Sequence, residues 1–109
     1  MATFVIVSDD IDVFSSQDAA EKDIEAHEVR SGSLRLFDLE GHPFKAVIRR
    51  HGLADVVRLE RDYSQPDDPS EVKRLLATFL SVREETPLDT YEALPIDELN
   101  RRALRHATD

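Results

Sequence analysis

Three aspartates, Asp9, Asp10 and Asp12, follow the first apolar run of the chain and have the spacing closest to a cation site. Clustered carboxylates bind hard cations such as Mg2+ and Ca2+. An EF-hand loop, however, needs glycine at its sixth position and glutamate at its twelfth, where this chain has Phe14 and Ala20. The spacing is therefore more typical of turn residues, and we predict no metal site.

The other residue types that support catalysis form no recognised pattern. The four histidines, His27, His42, His51 and His106, include no His-x-x-x-His pair that would bind zinc on a helix. The absence of cysteine excludes a thiolate nucleophile and a disulfide scaffold. The chain also has no Gly-x-Ser-x-Gly elbow, and its three glycines leave little material for a phosphate-binding loop. We therefore predict a non-catalytic protein without a cofactor.

The charged side chains, 34% of the 109 residues, are unevenly distributed. Residues 1–28 contain eight acids and one base, residues 29–61 seven bases and four acids, and residues 62–109 eleven acids and six bases. With a net charge of −9 the protein is a poor match for nucleic acid, since phosphate binding needs clustered Lys and Arg. We expect no nucleic-acid partner. The acidic N-terminal part either binds a basic protein or neutralises the basic middle of the chain.

The longest nearly apolar run, Phe4–Val7, is far shorter than the roughly 20 residues of a membrane-spanning helix. The N-terminus lacks the basic segment and apolar stretch of a secretory signal. We therefore expect a cytoplasmic protein without a membrane partner. The length predicts one domain over residues 1–109.

Residues 3–8 and Ile11–Phe14 have the β-branched and alternating patterns of two strands, which can pair as a hairpin around Asp9 and Asp10. A helix then begins, with Ser15 as its predicted N-cap and Asp18 in its first turn. The apolar stripe of this helix is thin and consists of Ala19, Ala20 and Ile24.

The middle of the chain alternates as three further strands, at residues 33–37, 44–48 and 56–61, with Gly41 in the first turn. One face of these strands is apolar and consists of Leu34, Leu36, Phe44, Ala46, Ile48, Val57 and Leu59. The other face carries Arg35, Lys45, Arg49 and Arg58. This is the pattern of an antiparallel sheet with one solvated face.

The clearest helix start is Asp68-Pro69, because Asp68 can cap the helix and Pro69 fits its first position. Apolar residues follow at helical spacing: Val72, Leu75, Leu76, Phe79 and Leu80. A short turn near Leu88 and a last helix opened by Pro95 complete the order ββαβββαα. The expected fold is α+β, a curved antiparallel sheet with helices packed on one face.

Residues 3–45 carry a pattern of short motifs. They are Asp12-Val13-Phe14-Ser15-Ser16 with Asp18-Ala19, then Glu28-Val29 and Gly32, then Phe37-Asp38 with Glu40-Gly41. The pattern resembles small, mostly uncharacterised bacterial proteins, several of which look like immunity proteins encoded beside secreted or contact-delivered toxins. The resemblance implies a binding protein and supplies no catalytic residues.

Three functional hypotheses follow. The first is an immunity-type inhibitor of a basic bacterial toxin, such as a nuclease, which binds through an acidic patch of Asp9, Asp10, Asp12, Asp18, Glu21 and Glu25. The second is a small regulatory domain that binds an anionic ligand on the face of Arg35, Lys45, Arg49 and Arg58. The third is an assembly subunit, or a homo-oligomer, that uses Leu88, Tyr91 and Leu94 as an interface.

Overall fold

The computed structural model describes residues 4–109, so Thr3, the predicted start of the first strand, lies outside the described residues. The strands are β1 (Phe4–Val7), β2 (Ile11–Phe14), β3 (Arg35–Asp38), β4 (Pro43–His51) and β5 (Ala54–Arg61). The helices are α1 (Gln17–Asp23), α2 (Ala26–Ser31), α3 (Pro69–Glu84), α4 (Asp89–Glu92) and α5 (Ile96–Ala103), with a 3-10 turn at Leu104–His106. The strands form one antiparallel sheet in the order β2-β1-β3-β4-β5. The predicted α+β fold is confirmed.

Helices cover both faces of the sheet, which differs from the expected packing on one face. Along β1, Phe4 and Ile6 pack with α1, whereas Val5 packs with α3 on the opposite face. The reason lies in the sequence of β1, which is apolar at every position and must be covered on both sides. The face shared with α1 contains the apolar residues that the alternation predicted, including Leu36, Val57 and Leu59.

The first helical segment differs from its prediction in two details. Its N-cap is Ser16, whose Oγ accepts the Ala19 N–H at 3.1 Å, and not Ser15. The segment also breaks at Ile24 into α1 and α2, and Glu25 opens α2 with a reciprocal capping box to Glu28. The break changes the direction in which the acidic side chains of this segment point.

The second core lies under α3, as its apolar stripe predicts. Val72, Leu75, Leu76, Phe79 and Leu80 are all buried, and Asp68 caps the helix by accepting the Glu71 N–H at 3.2 Å. Gly41 fixes the β3–β4 turn to this helix: its φ is 87°, and a Cβ there would lie 2.4 Å from the Pro69 nitrogen. Only glycine allows this approach.

Each outer edge of the sheet is bonded over a short stretch to another part of the chain. At β2, the Thr108 N–H donates to the Val13 carbonyl at 2.9 Å, and Ser15 N–H donates to the Thr108 carbonyl at 3.2 Å. At β5, the carboxylate of Glu21 accepts the Leu59 N–H at 2.7 Å, while Gln17 Nε2 donates to the Leu59 carbonyl at 3.0 Å. These contacts satisfy edge groups that another strand could otherwise pair with.

Candidate functional site

The six acids proposed as one patch lie in two separate grooves. Asp9, Asp10 and Asp12 line a groove between the β1–β2 turn and α3. Asp18, Glu21 and Glu25 line another groove, between α1 and β5.

Asp12 has further acidic neighbours that the sequence did not single out. The pKa of Asp12 is raised, first by burial and then by repulsion from Asp23, with smaller repulsion from Asp10 and Glu28. Arg83 opposes these effects. Asp23 is the last residue of α1, which packs against β2 and β5, and this long-range packing is not revealed by a residue pattern. We call Asp9, Asp10, Asp12 and Asp23 the acidic surface.

The groove beside the acidic surface, with a volume of about 430 Å³, has an apolar side. Ile11 and the buried Phe79 line it, and Val82 of α3 is 75% exposed at its edge. The Arg83 guanidinium lies 5.0 Å from the centre of the Phe79 ring. An exposed apolar side chain flanked by carboxylates is the combination of apolar centre and polar rim found in protein interfaces.

The second acidic group has a structural role. The side chain of Glu21 is only 9% exposed, holds the Leu59 N–H and lies 4.0 Å from Arg58. Asp18 is in the first turn of α1, and the Glu25 carboxylate forms the α2 capping box. Glu21 and Glu25 are therefore already used within the fold, whereas Asp9 and Asp10 of the acidic surface are exposed.

The basic sheet face is present but largely paired. By strand alternation Arg35, Lys45, Arg49 and Arg58 share one face, as predicted. Arg35 lies 3.6 Å from Glu71, Arg49 2.6 Å from Glu60, and Arg58 4.0 Å from Glu21. Lys45 has no ion-pair partner among residues 4–109. These pairs reduce the charge that an anionic ligand would meet.

Two polar networks connect elements of the fold. Glu84 accepts hydrogen bonds from the buried Tyr91 hydroxyl and lies 2.9 Å from His106 Nε2, which links α3, α4 and the C-terminal turn. These two contacts lower the pKa of Glu84. In the β3–β4 turn, Asp38 accepts the His42 N–H at 2.9 Å and contacts the His42 ring at 2.8 Å. Within residues 4–109, no group of three or more histidine, aspartate or glutamate side chains is arranged to hold a metal ion.

The third predicted surface, at the C-terminal helices, is mostly covered. Tyr91 is buried and Leu94 packs against the α3 core, while Leu88 remains 40% exposed. These residues mainly close the core.

Comparisons with family models, with curated proteins and with solved structures give no match for this chain. No helix in residues 4–109 has the length and apolar character needed to cross a membrane.

Proposed function

We propose that this protein is a non-catalytic binding domain of the immunity type, which inhibits a basic bacterial toxin by binding it through the acidic surface. The observation that carries the proposal is the groove between the β1–β2 turn and α3, where exposed aspartates and the exposed Val82 lie together. The motif resemblance over residues 3–45 includes Asp12 of this surface.

The electrostatics of the acidic surface support a basic partner. Asp12 meets more repulsion than attraction from its neighbours, with Arg83 as the opposing cation. A partner that places Lys or Arg here would relieve this repulsion and gain charge-assisted hydrogen bonds. Nucleases fit this description because they need clustered cations to bind phosphate. Acidic surfaces also attract basic partners over distance, which raises the association rate.

The regulatory alternative, an anionic ligand on the basic sheet face, has one observation in its favour, the absence of an ion-pair partner for Lys45 among residues 4–109. The ion pairs of Arg35, Arg49 and Arg58 count against it. The acidic surface is therefore the better-supported binding site.

The experiment is capture of partners from an extract of the producing cells on the immobilised protein, followed by kinetics with the purified partner. We expect the captured partner to be a basic protein whose toxic activity is inhibited by the immobilised protein. Its association rate should fall steeply with salt, because exposed charges are screened beyond about 10 Å at 0.1 M. Asp9→Lys with Asp10→Lys should lower that rate by about tenfold or more, since steering contributes 10-fold or greater.

The matched control is Asp89→Lys with Glu92→Lys on α4, which makes the same change in net charge on two exposed acids elsewhere. We expect this variant to bind almost as fast as the wild type. If variants of Arg35 and Arg58 bound the partner more weakly while the Asp9 and Asp10 variants bound it normally, the basic sheet face would be the favoured site instead. Equal binding by every variant would overturn the proposal.

A further inference from the structure

The β4–β5 hairpin extends beyond the rest of the sheet. β4 has nine residues, but its pairing with β3 involves two of them. Phe44 pairs with Leu36, and Pro43 pairs with Phe37. The remainder of β4 pairs with β5 as far as His51 and Ala54. We call residues 45–60 the arm. Its turn carries Leu53, which is 100% exposed.

Within the described residues, the side of β4 that faces away from β5 has unbonded backbone groups along the arm, and at its start Ala46 lines a groove together with Val29 and Leu34. Leu59 lies opposite Ala46, and its N–H points outward from the hairpin to Glu21. Leu59 and Ala46 therefore form a non-hydrogen-bonded pair of the antiparallel ladder. In such a pair, the two opposite residues both point their N–H and C=O groups away from each other. Ala46 therefore points its groups away from β5, and alternation gives Ile48 and Arg50 the same direction.

These outward groups have no partner within the described chain. The β3–β4 ladder ends at Phe44, and among residues 4–109 no turn or loop backbone group bonds to β4 beyond it. No side chain in that part of the chain bonds to the backbone of residues 45–51 either. The outer edges of β2 and β5 are bonded to other parts of the chain at Val13 and Leu59, whereas Ala46, Ile48 and Arg50 on this side of β4 have no such bond among residues 4–109. From Ala46 to His51 this stretch is roughly 17 Å long, at about 3.3 Å per residue.

The charge of β4 decides which strand fits this edge. β4 contains Lys45, Arg49, Arg50 and His51 and has no acid. Arg49 and Arg50 contact Glu60 and Asp55, yet their side chains remain 62% and 64% exposed. Pairing with a second copy of this strand would bring these cations together, which is destabilising. An extended segment that alternates acidic and apolar residues would instead place carboxylates beside Lys45 and Arg49 on one face, and apolar side chains beside Ala46 and Ile48 on the other.

We propose that the open edge of β4 binds an extended acidic segment of a partner by strand addition. The outward N–H and C=O groups of Ala46, Ile48 and Arg50 provide the main-chain hydrogen bonds, as in other cases of β-augmentation. Lys45 and Arg49 select for acidic side chains. This site is separate from the acidic surface and binds a segment of opposite charge.

The test uses the peptide acetyl-Ser-Glu-Val-Glu-Val-Glu-Ser-amide, titrated into the full-length protein and followed by amide NMR. We expect shifts centred on Ala46, Ile48 and Arg50, with slower hydrogen exchange of their amides. A matched peptide with Lys in place of Glu should bind much more weakly. A Glu peptide with alternate N-methylated amides should also bind weakly, because it cannot complete the ladder.

Two protein variants separate backbone pairing from charge. Ile48→Pro removes one outward N–H without removing a bond to β5, and should weaken binding of the Glu peptide by about tenfold, the scale of one edge hydrogen bond. Arg49→Gln should weaken it as well, while Arg105→Gln, the same substitution at an exposed arginine outside the arm, should have no effect. Arg49→Gln keeps the backbone intact and remains informative if Ile48→Pro unfolds.

Several results would overturn the inference. They are no binding of the Glu peptide at millimolar concentration, equal binding of the Lys peptide, and unchanged binding of the N-methylated peptide. Dimerisation of the protein through β4 in the absence of peptide would identify a second copy as the occupant, contrary to the inference. None of these results bears on the Asp9 and Asp10 variants, so the proposed function stands or falls separately.

Discussion

The two hairpins of this sheet are built in opposite ways. The β1–β2 hairpin is covered on both faces, with Val5 and Val13 under α3 and with Phe4 and Phe14 against the α1 side. The β4–β5 hairpin has apolar cover on the α1 side, while its other face and the β4 edge are open. The first carries an acidic turn and the second a basic strand.

This difference suits the two proposed binding sites, one on each hairpin, to different kinds of partner. A turn held between two cores keeps its carboxylates in fixed positions, which suits a preorganised surface for a rigid partner. A projecting arm with unpaired backbone groups suits a partner that supplies its own strand. The contrast can be tested through stability as well as through binding.

The largest expected effect is in the packed hairpin. Phe14 is 1% exposed and lies between β1 and α1, so Phe14→Ala should lower the free energy of unfolding by about 3–5 kcal/mol. Val47→Ala on the open face of the arm should cost less than about 1 kcal/mol. Denaturant unfolding followed by far-UV circular dichroism measures both. Similar losses for the two variants would show that the arm is as firmly packed as the body.

A second comparison uses two turn glycines with positive φ. Gly41 has φ 87° and faces the backbone of Pro69, while Gly52 at the tip of the arm has φ 67° and open space around it. Gly52→Ala should cost about 1–2 kcal/mol, from backbone strain alone. Gly41→Ala adds a backbone clash, so we expect about 2–4 kcal/mol by the same unfolding measurement. A smaller cost at Gly41 than at Gly52 would contradict the close packing of the β3–β4 turn on α3.

Local rules predicted most of the elements. The alternation of Leu36, Phe44, Val57 and Leu59 identified the apolar face, and Asp68-Pro69 identified the start of the core helix. These signals work because cap residues and side-chain periodicity act within a few residues.

The placement of the acids could not be predicted in the same way. The break at Ile24, the capping role of Glu25 and the contact between Glu21 and β5 depend on how α1 and α2 lie across the sheet. The open edge of β4 was equally hidden, because the length of the β3–β4 ladder is set by where the chain leaves α2 for β3. These long-range contacts determine which charged side chains are exposed to solvent and which are hydrogen-bonded or ion-paired within the fold.

The smallest expected effect concerns two carboxyl groups, Asp12 in the packed hairpin and Glu84 at the end of α3, which should respond to pH in opposite ways. Burial and neighbouring carboxylates raise the pKa of Asp12 in the folded protein, so ionisation of Asp12 destabilises the fold as pH rises through that pKa. Asp12→Asn should therefore raise the melting temperature relative to the wild type at neutral pH, with the gain vanishing in acid.

Hydrogen bonds from Tyr91 and His106 lower the pKa of Glu84, so the contribution of Glu84 to the stability of the fold is present at neutral pH and is lost as pH falls through that lowered pKa. Glu84→Gln should accordingly lower the melting temperature at neutral pH and converge on the wild type in acid. Melting curves of the three proteins between neutral and acidic pH measure both differences, and a loss of stability for Asp12→Asn at neutral pH would mean that Asp12 is held by attraction.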